Sequence, residues 1–315
     1  MVSCSSGVVG TFAVAQVKPL KLVVVGSGGR LGAALYRIYN GVYEVTGFNR
    51  TELNLNSTEQ IESKLGSLSF DTLINCAALT NVDYCETHEQ EALQINAHAV
   101  RTIAEVCARK HARCIHFSTD YVFDGKAKSP YREMDHALPV CIYGESKRIG
   151  EIQLLEVSES NLAVRISWVF GPDRPSFLDQ ILKKASESDS VKAVADKFSA
   201  PTFSLDVAAH LNPFLKDIDT GGILHLSNAG ECSWQQYGQF ALECAIAAGI
   251  PVKATHVAAQ KLSELKAFVA KRPAYTVLCT DLLSKLTGRA PRTWQEAVED
   301  YVFNYFEPRM KLEAR

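Results

Sequence analysis

No stretch of this sequence is long and apolar enough to cross a bilayer. Its longest hydrophobic runs, KLVVVG and LAVRISWVF, are strand-sized, against the ~20 residues that a spanning helix needs. An excess of either charge is missing too: 33 Lys and Arg stand against 35 Asp and Glu, a formal net charge of -2. Nucleic-acid binding draws its affinity from a clearly basic face, so that class loses its electrostatic argument. The nine cysteines include no C-x-x-C pair, which removes the usual zinc and dithiol spacings. Several of them fall in apolar stretches and read as small buried hydrophobes in a reducing, cytoplasmic setting. The leader MVSCSSGVVGTFAVAQVKPL lacks acidic residues, but it also lacks a charged n-region and an Arg-rich amphipathic pattern. It reads as a disordered or strand-extending tail, with an organelle transit peptide as the alternative. Internal repeats and low-complexity segments are absent.

What the chain does have is alternation. From Lys21 onward, short apolar runs (KLVVVG, YEVTGF, FDTLINCAA, RCIHFST, LAVRISWVF) take turns with helical patterns such as RLGAALYRIYN and EQEALQINAHAVRTIAEVCARK. Strands alternating with helices predict an α/β fold, a doubly wound parallel sheet of Rossmann type. The near-continuous apolar character of the strands fits a sheet covered on both faces. After Gly171 the rhythm loosens, with Pro172, Pro175, Pro201, Pro213, Pro251, Pro273 and Pro291 separating shorter elements. The expected organisation is a tail over 1–19, a cofactor domain over 20–170, and a smaller, mainly substrate-binding region over 171–315. Some elements of that last region are expected to return to the sheet.

Between the first strand and its helix, VVVGSGGRLG places Gly26, Gly29 and Gly32 three apart. A third glycine at the G-x-G-x-x-G position would fall on Leu31, so the spacing that fits is G-x-x-G-x-x-G. Glycine lets the turn close tightly and brings backbone N–H groups and the helix N-terminus up to a pyrophosphate. The second strand ends in GFNRTE, with Asn49 and Arg50 where NAD-binding chains carry a carboxylate for the ribose 2′-OH. Asn49 does not repel a 2′-phosphate and Arg50 can pair with it, so NADPH is the expected cofactor and NADH the alternative.

The fourth strand empties into STDYVFDG, and a helix opening with YGESK follows. Tyr143 and Lys147, at i and i+4, share one helix face. A free tyrosine titrates near pH ~10; a nearby ammonium is expected to lower that value and fit the phenol for proton exchange. Thr119, at the strand end, is placed to hydrogen-bond the oxygen of a carbonyl under reduction. Tyr143, Lys147 and Thr119 are the candidate catalytic residues.

These motifs, with INCAALTNVDYCE, PYRE, YGESKRIGE, RISWVFG, ADKFSAPTFS, GILHLSNAGECSW and a late RP, run in order from about Lys21 to Val302. The chain resembles the extended short-chain dehydrogenase/reductases, and within them the dTDP-4-dehydrorhamnose reductases. The resemblance implies NADPH-dependent reduction of the 4-keto group of a nucleotide-activated deoxysugar, most specifically dTDP-4-dehydro-L-rhamnose. It puts Gly29, Arg30 and Leu31 along the pyrophosphate, Asn54 and Leu55 beside the adenine, and Ala78, Leu79 and Thr80 by the ribose and nicotinamide. Thr119 and Asp120 would hold the sugar's hydroxyls and carbonyl, and Trp168 would stack on the deoxyhexose.

Three positions depart from the family pattern. Asn54 in LNLN stands where an Asp is frequent, and Ser176 where an Asn often precedes Phe. Ala34 occupies the position of a Glu that bridges dimers through Mg²⁺ in some members, so no metal site and a homodimer without a metal bridge are expected. Sugar-nucleotide dehydratases carry Glu after the Thr-Asp pair, where this chain has Tyr121. The competing reading from a different class is the regulatory β subunit of methionine adenosyltransferase, which shares YVFDG and PYRE and binds NADP without catalysing.

Overall fold

Short runs rich in Val, Ile and Leu, bounded by Gly, Asn and Asp, become strands because β-branched side chains pack well on a pleated surface. The structure, a computed structural model, describes residues 19–309. The tail expected over 1–19 therefore lies outside the described residues apart from Pro19. Strands β1 (Lys21–Val25), β2 (Glu44–Phe48), β3 (Thr72–Asn75), β4 (Arg113–Thr119) and β5 (Leu162–Ile166) form one sheet, in which every neighbouring pair is parallel. A sixth strand, Gly222–His225, joins parallel to β5, and the spatial order runs from it through β5, β4, β3 and β1 to β2. The chain reverses direction across the sheet between β1 and β3, where ligands bind in such folds.

Helices α1 (Arg30–Tyr39), α2 (Thr58–Gly66), α3 (Val82–Thr87), α4 (Glu89–Leu93), α5 (Ala99–Arg109) and α6 (Ile142–Val157) alternate with these strands. Later come α7 (Phe177–Glu187), α8 (Ser204–Leu211), α9 (Trp234–Ala247), α10 (Asp281–Thr287) and α11 (Trp294–Tyr301). Alternate residues of β1 serve opposite cores. Leu22 and Val24 pack with Leu35 of α1 and Leu211 of α8, whereas Val23 and Val25 pack with Ile61 of α2 and Ile103 of α5. A separate core, including Phe170, Leu182, Tyr237, Leu242, Trp294 and Tyr301, binds α7, α9 and α11 together.

Two elements differ from the sequence pattern. LAVRISWVF reads as one strand, but β5 stops at Ile166, Trp168 takes a left-handed φ of 39°, and Val169–Phe170 pairs with Thr202–Phe203 instead. The long helical run before β4 contains a π-turn, Gln94–His98. Its Asn96 faces α6 at Gly150, where a Cβ would come within 2.1 Å of the Asn96 carbonyl oxygen. Among the described residues no helix is long and apolar enough to cross a membrane.

Candidate active site

A cleft of about 1140 Å³ opens along the C-terminal ends of the strands. It is lined by Gly26, Gly29, Arg30 and Leu31 from the glycine turn, Asn49 and Arg50 after β2, and Asn54 and Leu55 before α2. Ala78, Leu79 and Thr80 after β3, Thr119 and Asp120 after β4, Tyr143 and Lys147 on α6, and Trp168 after β5 complete the predicted set. Gly32 alone of the sequence candidates is not part of the lining. Its requirement is steric, since a Cβ there would sit 2.1 Å from the Gly26 carbonyl oxygen. Gly26 adopts φ +84°, and a Cβ there would meet the Ala77 nitrogen at 2.7 Å, so only glycine closes this turn.

The turn fits a dinucleotide pyrophosphate. Gly29 is the N-cap of α1, so no side chain caps the first turn, and no acidic residue lies in it. Its leading N–H groups thus face the cleft side without a protein partner and with the positive end of the helix dipole behind them. Arg30 behaves differently from the expectation. Its guanidinium bonds the carbonyls of Arg174 and Pro175, while Arg174 Nε donates to Gly28 O at 3.0 Å. The two arginines bracket the turn against the loop before α7.

After β2, Asn49 Oδ1 accepts from Thr51 N at 2.9 Å and from the Thr51 hydroxyl at 2.7 Å. Glu52 Oε2 accepts from Asn49 N at 2.8 Å. The acidic group near this corner is thereby committed to the backbone, and Glu52 does not line the cleft. Asn49 Nδ2 and the exposed Arg50 guanidinium remain, both donors.

On α6, burial pushes the Tyr143 phenol well above its ordinary value, with a hydrogen bond shared with Thr119 opposing the rise. Burial lowers Lys147 to about 7. Lys147 Nζ lies 3.0 Å from His116 Nε2 and donates to Phe117 O at 2.6 Å. The expected lowering of Tyr143 by Lys147 is therefore not what the structure shows: a lysine that has lost most of its water is a weak source of positive charge near neutrality. The Asp120 carboxylate accepts from Thr119 Oγ1 at 3.2 Å, from Ser199 Oγ at 3.1 Å, and from the Thr276 hydroxyl. It orders Thr119 and the wall behind it, and burial raises its own pKa against the pull of Lys197. The Trp168 ring lies 5.8 Å from that of Trp234, and its buried Nε1 has no partner.

Sequence reasoning passed over Asn75, Asn96, His116 and Glu151. Asn96 accepts from Leu79 N at 2.8 Å and donates to Leu79 O at 3.0 Å, fixing the backbone of the cleft's third wall. A buried Asn inside an apolar helical stripe was the available signal. Among the described residues no group of three or more His, Cys, Asp and Glu side chains is arranged to hold a metal. Ala34 is fully buried in α1, and Ser176, at the N-cap of α7, donates its backbone N–H and its hydroxyl to the Asp179 carboxylate, both at 2.7 Å.

Comparison with known proteins places this geometry. A family model described as "RmlD substrate binding domain" matches residues 20–306. The spore coat polysaccharide biosynthesis protein SpsK of Bacillus subtilis is 32% identical over 283 residues, covering 90% of this chain and 96% of that protein. The dTDP-4-dehydrorhamnose reductase of Aggregatibacter actinomycetemcomitans is 32% identical over 287 residues, covering 89% and 97%. The crystal structure of dTDP-4-dehydrorhamnose reductase from Bacillus anthracis in complex with NADP superposes with a TM-score of 0.83 at 27% identity, over 90% of this chain and 99% of that one.

Proposed function

The chain belongs to the RmlD substrate binding domain family, and from this we infer that it reduces the 4-keto group of a dTDP-activated deoxysugar with NADPH. The observation that carries the reading is the convergence of Tyr143, Lys147 and Thr119 in one cleft with an uncapped glycine-turn helix. Relatives named dTDP-4-dehydrorhamnose reductase favour dTDP-4-dehydro-L-rhamnose as the substrate. A nicotinamide held by this cleft would supply the hydride for the ketone carbon. Tyr143, kept protonated across neutral pH by burial, gives its proton to the oxygen as negative charge develops there. The single hydroxyl proton of Thr119, which Asp120 accepts here, would turn to that oxygen to steady it. Asn49 Nδ2 and Arg50 offer donors to a 2′-phosphate, which supports NADPH over NADH as the preferred cofactor. Trp168, which lines the cleft, offers an apolar ring face to the sugar. The reading includes residues 171–315 as the mainly substrate-binding part, a homodimer without a metal bridge, and a cytoplasmic location.

The test is stoichiometric. Purified protein supplied with NADPH and dTDP-4-dehydrorhamnose is expected to consume one NADPH, followed by its ultraviolet absorbance, for each sugar reduced. Sugar conversion with only catalytic cofactor would point to a dehydratase or epimerase. Absence of turnover with stable co-purification of methionine adenosyltransferase would give the regulatory reading instead.

A further inference from the structure

Behind Lys147 runs a buried chain of side chains that neither the glycine turn nor the Tyr/Lys pair explains. Asn75 ends β3, and His116 stands directly opposite it in β4. Their side chains therefore share one face of the sheet, and all three of Asn75, His116 and Lys147 are buried. Asn75 Nδ2 lies 3.1 Å from His116 Nδ1, and His116 Nε2 lies 3.0 Å from Lys147 Nζ.

The backbone decides where the protons are. The Ala77 N–H, which can only donate, bonds Asn75 Oδ1 at 3.1 Å. That fixes the amide so that Nδ2, which has only hydrogens to give, faces the imidazole. His116 Nδ1 must accept and so carries no proton. Burial disfavours the imidazolium, and a neutral ring with a bare Nδ1 has its proton on Nε2. The Nε2–H then points at Lys147 Nζ, which can accept it only through a lone pair. An ammonium has none. The remaining contact of Nζ, to the Phe117 carbonyl at 2.6 Å, is satisfied by an amine N–H.

We propose that Asn75 and His116 are positioning residues which, anchored on the Ala77 amide, hold Lys147 as a neutral amine in the protein at rest. The inference rests on Lys147 being the partner of Tyr143. Charging Lys147 adds one solvent proton to the Nζ lone pair and breaks no covalent bond, but the ammonium can no longer accept the Nε2–H. Proton uptake thus releases Lys147 from His116 toward the cleft. The other groups facing Nζ do not replace this control. Glu151, one turn further along α6, favours the ammonium through its charge, but its oxygens are committed to Arg165, Arg148 and Ser118 and accept nothing from Nζ. Cys76, after β3, is kept a thiol by burial, and Tyr143 stays a phenol. Asp120, after β4, is held by Ser199 and Thr276. Because the buried Lys147 titrates at about 7, the ammonium fraction falls, and reduction slows, as pH rises through that value.

The experiment is ¹⁵N NMR of histidine-labelled full-length protein without substrate, with His116 assigned by the signal lost in His116→Gln. His116 is expected neutral, with Nε2 protonated and Nδ1 bare. Asn75→Asp supplies two acceptors, so Nδ1 gains the proton, Nε2 turns acceptor for the Lys147 ammonium, and the two nitrogen signals exchange character. In that variant the alkaline limb of kcat/KM should move up by about one pH unit or more. A protonated Nδ1 in the wild type overturns the proposal, as does an Asn75→Asp variant with unchanged nitrogen signals and an unmoved limb. The wild-type spectrum needs neither the variants nor turnover, so failure of the reductase reading would leave the tautomer result intact and separately legible.

Discussion

Tyr143 is surrounded by influences of unequal size: burial raises its pKa most, the Thr119 bond opposes, and Asp120, Cys85 and Cys141 add to the rise. An acid tuned this way holds its proton through neutral pH and parts with it only to a stronger base, which a developing alkoxide is. Tyr143→Phe keeps the ring and removes that proton. Turnover is expected to fall by about 10²–10⁴, the usual size of general acid catalysis, while the NADPH dissociation constant, measured by fluorescence titration, stays close to wild type. Normal turnover in the variant would remove Tyr143 from the chemistry. The helical spacing of Tyr143 and Lys147 was legible in YGESK. The direction of the tyrosine's shift was not, because it depends on how much water each side chain loses when the chain is folded.

One buried carboxylate ties helix α6 to two strands of the sheet. Glu151 is fully buried, accepts from Ser118 Oγ of β4 at 2.6 Å, and makes a two-point pair with Arg165 of β5, both bonds 2.8 Å. Arg148 adds a bond at 3.1 Å. This cluster sets the height of α6 over two strands and, through it, the stations of Tyr143 and Lys147. Glu151→Ala would leave the Arg165 guanidinium buried without its counter-charge, a loss of about 3–5 kcal/mol, read as a lower midpoint in urea unfolding. An unchanged midpoint would mean that Arg165 is compensated by its stacking over Phe123 and its contact with His225. Glu151 continues the i, i+4 series of Tyr143 and Lys147, so its face was readable; its partner on β5 was not.

Across the whole molecule, the cleft is closed by contacts between segments far apart in the chain. Arg37 pairs with Asp173 at 2.9 Å, fastening α1 to the loop before α7. On the opposite side, Asp83 of α3 accepts from Val269 N at 2.8 Å and Ala270 N at 3.0 Å and pairs with Arg272 at 2.6 Å. The segment 268–272 is thus strapped to the helix that follows the nicotinamide-side loop. In Asp83→Ala the amides of Val269 and Ala270 are expected to exchange with solvent about tenfold faster or more, since each lost bond to a charged acceptor is worth roughly 1.5–3 kcal/mol. Amides of β1, β3 and β4 should keep their protection. Equal protection of the strap in both proteins would show that Arg272 stacking on Phe268, 3.8 Å from the ring centroid, holds it instead.

The sequence by itself determined the parallel α/β sheet, the glycine turn and the shared face of Tyr143 and Lys147, because each is written in local periodicity: two residues for a strand, 3.6 for a helix, three for these glycines. Tertiary structure decided the rest. LAVRISWVF breaks at Trp168 because Val169–Phe170 finds its partner in Thr202–Phe203, and Gly150 lets α6 come up against the Asn96 carbonyl of the π-turn. Arg30 turns to carbonyls more than a hundred residues away, and Asn75 meets His116 only through the register of two strands. None of these pairings has a local signature, since each is chosen by which surfaces remain to be filled, and which polar atoms to be satisfied, once the sheet and its helices have packed.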